Sequence, residues 1–222
     1  APSDNATDVE ITSNLTLQFS DSVTADTGNI TLYRSSDNSV IETIAANSAR
    51  VSGYGTSTLL VDWTSNLNPS TDYYVLVDNN AFLNGDGSSS VEGLIASTDL
   101  NFTTRSAPVL SSSTPVDNGA SIALAQNLIL TFDQVVNAST GSIHLYKVDT
   151  PNTLIESIVA NNGARVSGSG TNTITIDWSS NLVGSTDYFI NIDNNAFTNN
   201  NNTLNYSGIS DSTSLNFSTI LK

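Results

Sequence analysis

Apolar and polar residues alternate along most of this chain, and the alternation predicts β-strands. In residues 14–19 the apolar side chains of Leu15, Leu17 and Phe19 fall on one face, which is typical of a half-buried strand. Further short segments, bounded by turns rich in Gly, Asn and Asp, are predicted as strands in the same way: 30–34, 39–45, 57–62, 73–77 and 99–103. No helical period of useful length interrupts them, so the pattern predicts an all-β protein.

The same sequence pattern occurs twice in the chain. Residues 49–82 return with few changes as residues 164–197, and Trp178 lies 115 positions after Trp63. A unit of about 100 residues can bury a hydrophobic core of its own. We therefore predict two domains, residues 1–106 and residues 107–222.

Some segments lack a clear alternation. Residues 5–10 and the polar segments 83–97 and 198–212 are predicted as loops. Residues 107–112 are predicted as the first strand of the second copy. Few residues remain between the two copies, so we expect a short, semi-rigid joint.

A short motif precedes one predicted strand in each copy. Tyr73 and Tyr188 each end the sequence Leu-x-x-Ser-Thr-Asp-Tyr. This motif resembles the tyrosine corner of immunoglobulin-like and fibronectin type III sandwiches, in which the Tyr hydroxyl bonds to backbone a few residues upstream. Trp63 and Trp178 stand just before it, whereas antibody domains place their Trp on another strand beside a disulfide, and this chain has no Cys. The resemblance implies two tandem Ig-like β-sandwiches, with these four aromatic residues as structural elements.

Five motifs together are similar to bacterial Ig-like domains of the family-5 kind. Each copy contains Pro-x-Asp-Asn, Asn-Leu-x-Leu-x-Phe, Gly-x-Ile-x-Leu-Tyr, Ser-Thr-Asp-Tyr and Leu-Asn-Phe followed by two hydroxyl residues. Such domains occur in tandem in large adhesins, RTX proteins and S-layer proteins. The resemblance implies an extracellular spacer on the bacterial surface that projects adhesive domains, with neighbouring repeats of the same polypeptide as its partners. It also implies calcium, which often stiffens the junctions of such arrays.

The charge balance narrows the range of partners. The chain carries 21 acidic and six basic residues, a formal net charge of −15. Nucleic acids and anionic membranes require clustered Lys and Arg, so neither is expected to bind. Divalent cations are attracted by such a field, but acidity also simply keeps a secreted protein soluble and favours a monomer.

Four carboxylates are candidate calcium ligands, since calcium binds six to eight oxygens. Asp99 and Asp117 flank the predicted junction, and Asp78 and Asp86 belong to an oxygen-rich segment of the first copy. The second copy replaces that segment with Asn199–Asn202, and neither copy contains an EF-hand-like loop. The alternative is that these side chains bond local backbone in turns.

Little in the chain suggests catalysis. Asp62 and Asp72 recur in the second copy as Asp177 and Asp187, but a duplicated pair favours a structural role over a glycosidase-like one. His144 is the single histidine, and we expect it on the solvent face of its strand. We predict that the protein is not an enzyme, although an accessory domain of an enzyme would have the same sequence features.

The alternative function is binding of a carbohydrate or a host surface. Tyr54 lies in a Gly-x-Gly turn and is replaced by Ser169 in the second copy, while Tyr33 and Tyr146 are predicted on an outer sheet face. A binding module should concentrate unusual aromatic residues in the loops of one copy. The long loops differ mainly in small polar residues, which favours the spacer.

Overall fold

Every regular element of this chain is a β-strand. The computed structural model describes residues 1–221 and divides the chain into two units, one ending at Ser106 and the other beginning at Ala107. The described residues form no helix, and therefore none that is long and apolar enough to cross a membrane.

The first unit contains ten strands, most of them short because Gly, Asn and Asp turns interrupt the apolar pattern every few residues. The strands are β1 Ala6–Val9, β2 Leu15–Gln18, β3 Val23–Ala25, β4 Asn29–Arg34, β5 Ser39–Ala45, β6 Val51–Ser52, β7 Thr58–Val61, β8 Asp72–Val77, β9 Phe82–Asn84 and β10 Asn101–Thr104.

The second unit repeats this order and adds one strand at its start. Its strands are β11 Leu110–Thr114, β12 Gly119–Ile122, β13 Leu128–Ala138, β14 Ser142–Lys147, β15 Thr153–Val159, β16 Val166–Ser167, β17 Thr171–Ile176, β18 Asp187–Ile192, β19 Phe197–Asn199 and β20 Asn216–Thr219. β13 corresponds to β2 and β3 joined into one strand of 11 residues.

Each unit is a sandwich of two sheets. In the first unit the larger sheet has the order β1-β10-β8-β4-β5. Its counterpart in the second unit, to which we give the same name although both sheets there have five strands, has the order β12-β20-β18-β14-β15. The opposing sheet has the order β2-β7-β6 in the first unit and β11-β13-β17-β16 in the second. In addition, β9 pairs with β3 in the first unit, and β19 pairs with β13 in the second. β1 and β12 run parallel to their partners, and the other pairings are antiparallel.

The core of each unit lies between its two sheets, where alternate residues point inward. In the first unit Leu15, Ile30, Leu59 and Val75 have no exposed surface, and they come from four strands of both sheets. The corresponding core of the second unit includes Leu128, Ile143, Ile174 and Ile190. The predicted fold class, two tandem Ig-like β-sandwiches, is confirmed.

Three of the predicted loops contain strand residues. Residues 5–10, predicted as a loop, contribute β1, which pairs with β10, the last strand of its unit. Its residues Ala-Thr-Asp-Val are too polar for alternation to reveal them. The long segments after β8 and β18 are also partly ordered as strands, because β9 and β19 pair with β3 and β13.

Candidate functional site

Tyr73 and Tyr188 each tie one sheet to the loop that crosses from the other. The Tyr73 hydroxyl accepts a 2.9 Å hydrogen bond from the backbone N–H of Asn68, and the Tyr188 hydroxyl accepts one of 3.0 Å from Val183. Both rings are almost completely buried. The hydroxyl therefore gives a hydrogen-bond acceptor to a backbone N–H that folding removes from water. This is the role of a tyrosine corner.

The two Trp residues belong to the core. Trp63 is 8% exposed and Trp178 is 9% exposed, so neither offers an aromatic face to a ligand. Each stands directly after the strand that enters the corner, β7 or β17. Their position in the sandwich interior indicates that the two Trp side chains pack in the core and do not bind a ligand.

A polar cluster involves the backbone on either side of each Trp. Its residues recur in both copies, and no role was predicted for them. Arg50 Nη1 donates to Glu42 Oε1 at 2.5 Å, and another Arg50 nitrogen donates to the backbone carbonyl of Asp62. Glu42 also accepts a 3.0 Å bond from the backbone N–H of Thr64. The cluster therefore fastens strand β5 of the larger sheet to the loop that follows β7 in the other.

The second unit contains the same cluster. Arg165 Nη2 lies 3.1 Å from Glu156 Oε1, and its Nε donates to the carbonyl of Asp177 at 2.6 Å. Glu156 accepts from the backbone N–H of Ser179 at 3.0 Å. The sequence signal that could have identified this cluster is that both Arg and Glu recur at matched positions in a chain with few cations.

The environment of Glu42 favours its ionised form. Burial by itself would raise the pKa of Glu42, but the hydrogen bonds from Arg50 and from the side chain and backbone of Thr64, together with the Arg50 charge, outweigh it and lower the pKa. The same bond to Glu42 raises the pKa of Arg50. The cluster is thus a partly buried ion pair that stays charged at neutral pH.

The duplicated carboxylates Asp62 and Asp72 are engaged separately. Asp62 Oδ1 accepts a 2.6 Å bond from Asn14 Nδ2, beside strand β2. Asp72 Oδ1 accepts from the Thr103 hydroxyl at 2.5 Å, and Asp187 accepts from Ser218 at the same distance. Each carboxylate therefore bonds a neighbouring segment of its own sheet.

The four candidate calcium ligands occupy different turns. Asp78 Oδ2 accepts from the Asn29 backbone at 2.9 Å, Asp86 Oδ1 accepts from the Ser88 backbone, and Asp99 Oδ2 accepts from the backbone of residues 95 and 96. Hydrogen bonds from the side chain and the backbone of Ser88 lower the pKa of Asp86. Within residues 1–221, no group of three or more His, Cys, Asp or Glu side chains could hold a metal ion. Calcium binding at these residues stays a prediction.

Asp117 has a role in its own unit that sequence reasoning missed. Its Oδ1 accepts from the backbone N–H and the side-chain amide of Asn216, at 3.0 and 3.1 Å. In the first unit Asp4 accepts from Asn101 in the same way, at 3.0 and 2.9 Å. These contacts hold the segments before β12 and before β1 against the last strand of each unit.

His144 is less exposed than its predicted place on the solvent face implied. Its side chain is 23% exposed, and its Nε2 lies 3.3 Å from Asp193 Oδ1. Asp193 Oδ2 also accepts a 2.9 Å bond from the Ser142 backbone. His144 therefore borders the turn after β18.

Tyr33 and Tyr146, predicted on an outer sheet face, each form a cross-strand pair with a buried aromatic ring. Tyr33 stacks on Tyr74 with ring centroids 4.8 Å apart and an interplanar angle of 4°, and Tyr146 stacks on Phe189 with the same values. Both pairs lie on the outer face of the larger sheet, opposite the buried residues of β4 and β14. Such pairs stabilise a sheet directly.

The side chains of two further tyrosines are directed toward the protein interior or backbone and not into solvent. The Tyr54 hydroxyl bonds the carbonyl of Ala46, so this side chain does not project freely from its turn. In the second unit Tyr206 lies in the long segment after β19, is 5% exposed and packs edge-on against Phe132. Burial raises the pKa of Tyr206 to about 12.

A cleft recurs in both units between the outer strand of the larger sheet and the loop before the tyrosine corner. In the first unit it measures about 240 Å³ and is lined by Leu32, Ile41, Glu42, Leu67 and Tyr73, among others. In the second it measures about 250 Å³, with the matching residues Leu145, Ile155, Glu156, Leu182 and Tyr188 on its walls. This cleft combines apolar walls with one ion-paired carboxylate.

The sequence profile of the bacterial Ig-like domain family matches the chain twice, over residues 1–104 and residues 105–219. A search of curated proteins found no significant match.

Similar solved structures come from several sources. The three N-terminal domains of the Highly Immunogenic Outer Capsid protein (Hoc) of bacteriophage RB49 share 10% identity over 98% of this chain and 67% of that chain, with a TM-score of 0.29. The BSP domain of a biofilm associated protein shares 9% identity over 90% of this chain and 29% of that chain, with a TM-score of 0.22. Extracellular domains 3–5 of Drosophila OTK share 12% identity over 100% of this chain and 61% of that chain, with a TM-score of 0.23.

Proposed function

We propose, from the premise that this chain belongs to the bacterial Ig-like domain family and contains two copies of its domain, that it is a structural spacer of a bacterial surface protein. In this role the two sandwiches catalyse no reaction. They extend a longer polypeptide and hold its adhesive parts away from the cell. The site of action is extracellular, and the partners are neighbouring repeats of the same polypeptide.

One observation carries this proposal: the polar residues shared by the two copies are engaged in holding their own sandwich together. The Arg50–Glu42 pair and its counterpart bind a strand to a crossing loop. Asp4 and Asp117 fasten the start of each unit to its last strand. Residues kept for catalysis or for ligand binding would point into a shared space instead.

Single-molecule force spectroscopy tests the spacer role on the 222-residue chain. Each unit has about 110 residues, and an extended residue spans about 3.5 Å, so each unfolding event should lengthen the chain by somewhat less than about 380 Å. We expect two separate force peaks with nearly equal increments. A single merged event, or smooth extension without peaks, would contradict a spacer made of two independent load-bearing domains.

A second candidate function, binding of a carbohydrate, has one observation in its favour. A cleft of about 310 Å³ lies on the larger sheet of the first unit, where Tyr74 is accompanied by Asn38, Asp72 and Asn101. The amide and carboxylate groups of this cleft are suited to bonding the hydroxyls of a sugar, whereas the Tyr74 ring, which is 7% exposed, offers no stacking face. Specific binding on a glycan array that is lost in Asp72→Ala but kept in Asp187→Ala would favour this function over the spacer.

A further inference from the structure

In each unit the last strand of the larger sheet lies beside a strand from the start of the unit, and the two run parallel. β1 pairs with β10 in the first unit, and β12 pairs with β20 in the second. The chain therefore enters this strand pair at one end and leaves it at the other. Tension along the chain would pull the two strands past each other and load their hydrogen bonds together. In an antiparallel pair the two ends would lie side by side, and the bonds would break one after another.

The backbone pairing of these parallel strands is short and interrupted. β1 and β12 have four residues each, and in both pairs the register shifts between the first and the last paired position. By contrast, β4 and β8 pair at five successive positions. Few backbone bonds therefore resist sliding of β1 along β10 or of β12 along β20, and side chains that bridge the two strands supply a large share of the resistance.

A side-chain contact closes the start of each parallel pair. We call this contact the latch; it consists of Asp4 and Asn101 in the first unit and of Asp117 and Asn216 in the second. Oδ1 of each Asp accepts bonds from the backbone N–H and from the side-chain amide of its Asn. Oδ2 accepts a 2.7 Å bond from the side-chain amide of the Asn that follows it. Each carboxylate thus accepts three bonds, and bonds to an ionised acceptor are the stronger kind.

The Arg–Glu pairs described above lie far from the latch. In the order of the larger sheet, β5 and β15 form the edge opposite to β1 and β12. Glu42 belongs to β5 and Glu156 belongs to β15. Tension that enters at β1 or β12 reaches this far edge only after the parallel strands have parted. The latch therefore lies on the path of the tension, and the Arg–Glu pairs do not.

The two units support the latch in different ways. In the first unit Arg105 Nη1 lies 2.8 Å from Glu10 Oε1, at the far end of the β1–β10 pair. The counterparts in the second unit are Ile220 and Ala123, which cannot form an ion pair. The second unit instead has β11 ahead of β12, paired with β13. Detaching β11 releases only the residues ahead of β12, so the large gain in length still requires the latch to open.

We propose that the latch sets the rate at which each sandwich opens under tension. This proposal rests on the spacer role, because a spacer that holds other domains at a distance transmits tension through this strand pair. While the latch is closed, the core between the two sheets stays covered. Once it opens, β1 or β12 slides off the last strand, and the rest of the unit unfolds.

Single-molecule measurements at constant force on the full chain test the proposal, because forced unfolding reports the unfolding rate. The wild type should show two unfolding events. Asp4→Ala should make one of them at least about fivefold faster, and Asp117→Ala should do the same to the other, since each removes the acceptor of three bonds. The double variant should accelerate both events. Unchanged rates in the double variant would overturn the proposal.

The matched control is Glu42→Gln with Glu156→Gln, which weakens one polar contact in each unit at the opposite edge of the larger sheet. At pH 7 it should lower the chemical denaturation midpoint at least as much as the double latch variant does. Its unfolding rates under force should equal those of the wild type, because these contacts break after the parallel strands have parted. Equal acceleration in this control would show that general destabilisation sets the rate, and it would refute the latch.

The outcomes separate the latch from the spacer role. Two events with nearly equal increments in every variant, at unchanged rates, would refute the latch and leave the spacer role standing. A wild type without separate events would contradict both. Thermal melts check that the variants fold. If the Asp variants do not, Asn101→Ala with Asn216→Ala removes the side-chain amide bond and keeps the backbone bond to each Asp. Faster unfolding under force is expected there too, and an unchanged rate would again refute the latch.

Discussion

At the scale of single residues, several of the shared polar side chains bond backbone groups of a crossing loop. The tyrosine hydroxyls accept bonds from loop N–H groups, and the Glu42 carboxylate accepts from the Thr64 backbone. Leaving such a group without a partner costs more than the net value of the bond itself. These residues therefore contribute to stability out of proportion to their number.

The tyrosine corners give the first prediction. Tyr73→Phe with Tyr188→Phe removes the acceptor of one backbone N–H in each unit, so each unit should lose about 1–3 kcal/mol of unfolding free energy. Chemical denaturation of the full chain measures the loss. Tyr33→Phe, which retains the ring stacked on Tyr74, should change stability little. Equal effects of the corner and control substitutions would show that the corner hydroxyls are dispensable.

The Arg50–Glu42 pair gives a prediction with a pH dependence. The pKa of Glu42 is lower in the folded protein than its ordinary value of 4.5, so its contribution to stability is complete above that value. As pH falls through the folded-state pKa, the carboxylate is protonated and the contribution disappears. Glu42→Gln should therefore be less stable than the wild type at pH 7, by about 1–3 kcal/mol, and the difference should shrink in acid.

Thermal melts of both proteins between pH 7 and pH 2 check this expectation. Glu92→Gln is a suitable control, because Glu92 is an exposed residue in the segment after β9. A difference between Glu42→Gln and wild type that does not vary with pH would show that the charge of Glu42 is unimportant to folding.

At the scale of elements, alternation predicts the long central strands well and the short ones poorly. The strand expected at 39–45 coincides with β5, and the strand expected at 73–77 differs from β8 by one residue. β1, which is short and polar, falls in a predicted loop, and two of the three residues of β9 fall in another. They are strands because a neighbouring strand supplies their hydrogen bonds, which local sequence does not reveal.

The turn between β16 and β17 gives an element-scale prediction. Gly168 has a φ of +94°, and a Cβ there would lie 2.0 Å from the carbonyl oxygen of Thr173. Gly168→Ala should therefore cost more than about 1 kcal/mol. Gly163 has open space around it and no positive φ, so Gly163→Ala should be neutral or stabilising. Denaturation midpoints of the two variants compare them, and similar losses would contradict the steric explanation.

At the scale of the whole molecule, the two sandwiches repeat one design with local differences. The second unit has a longer continuous strand, β13, and a buried Tyr206 where the first unit has Val91. The outer strands keep their exposed apolar residues in both units.

Calcium gives the whole-molecule prediction. If calcium binds at any of the candidate carboxylates, the melting temperature should be higher with 1 mM calcium than with a chelator. A site filled to about 100 times its Kd would add about 2.7 kcal/mol, a shift of several degrees. Loss of the shift in Asp99→Asn, Asp117→Asn or Asp86→Asn would locate the site, and an unchanged melting temperature would contradict the calcium hypothesis.

The sequence by itself determined the sandwich class, the duplication and the tyrosine motif, because alternation, spacing and turn residues are local properties of the chain. Tertiary structure alone decided that Arg50 meets Glu42, that Asp117 holds Asn216, and that Val40 and Ile41 lie on an unpaired edge. The Asp117–Asn216 contact joins residues 99 positions apart, and the Arg50–Glu42 pair, although eight positions apart, forms beside a loop of the opposing sheet. Which strand lies outermost depends on how the strands are ordered across the sheet, and that order comes from long-range pairing and not from the composition of any one strand.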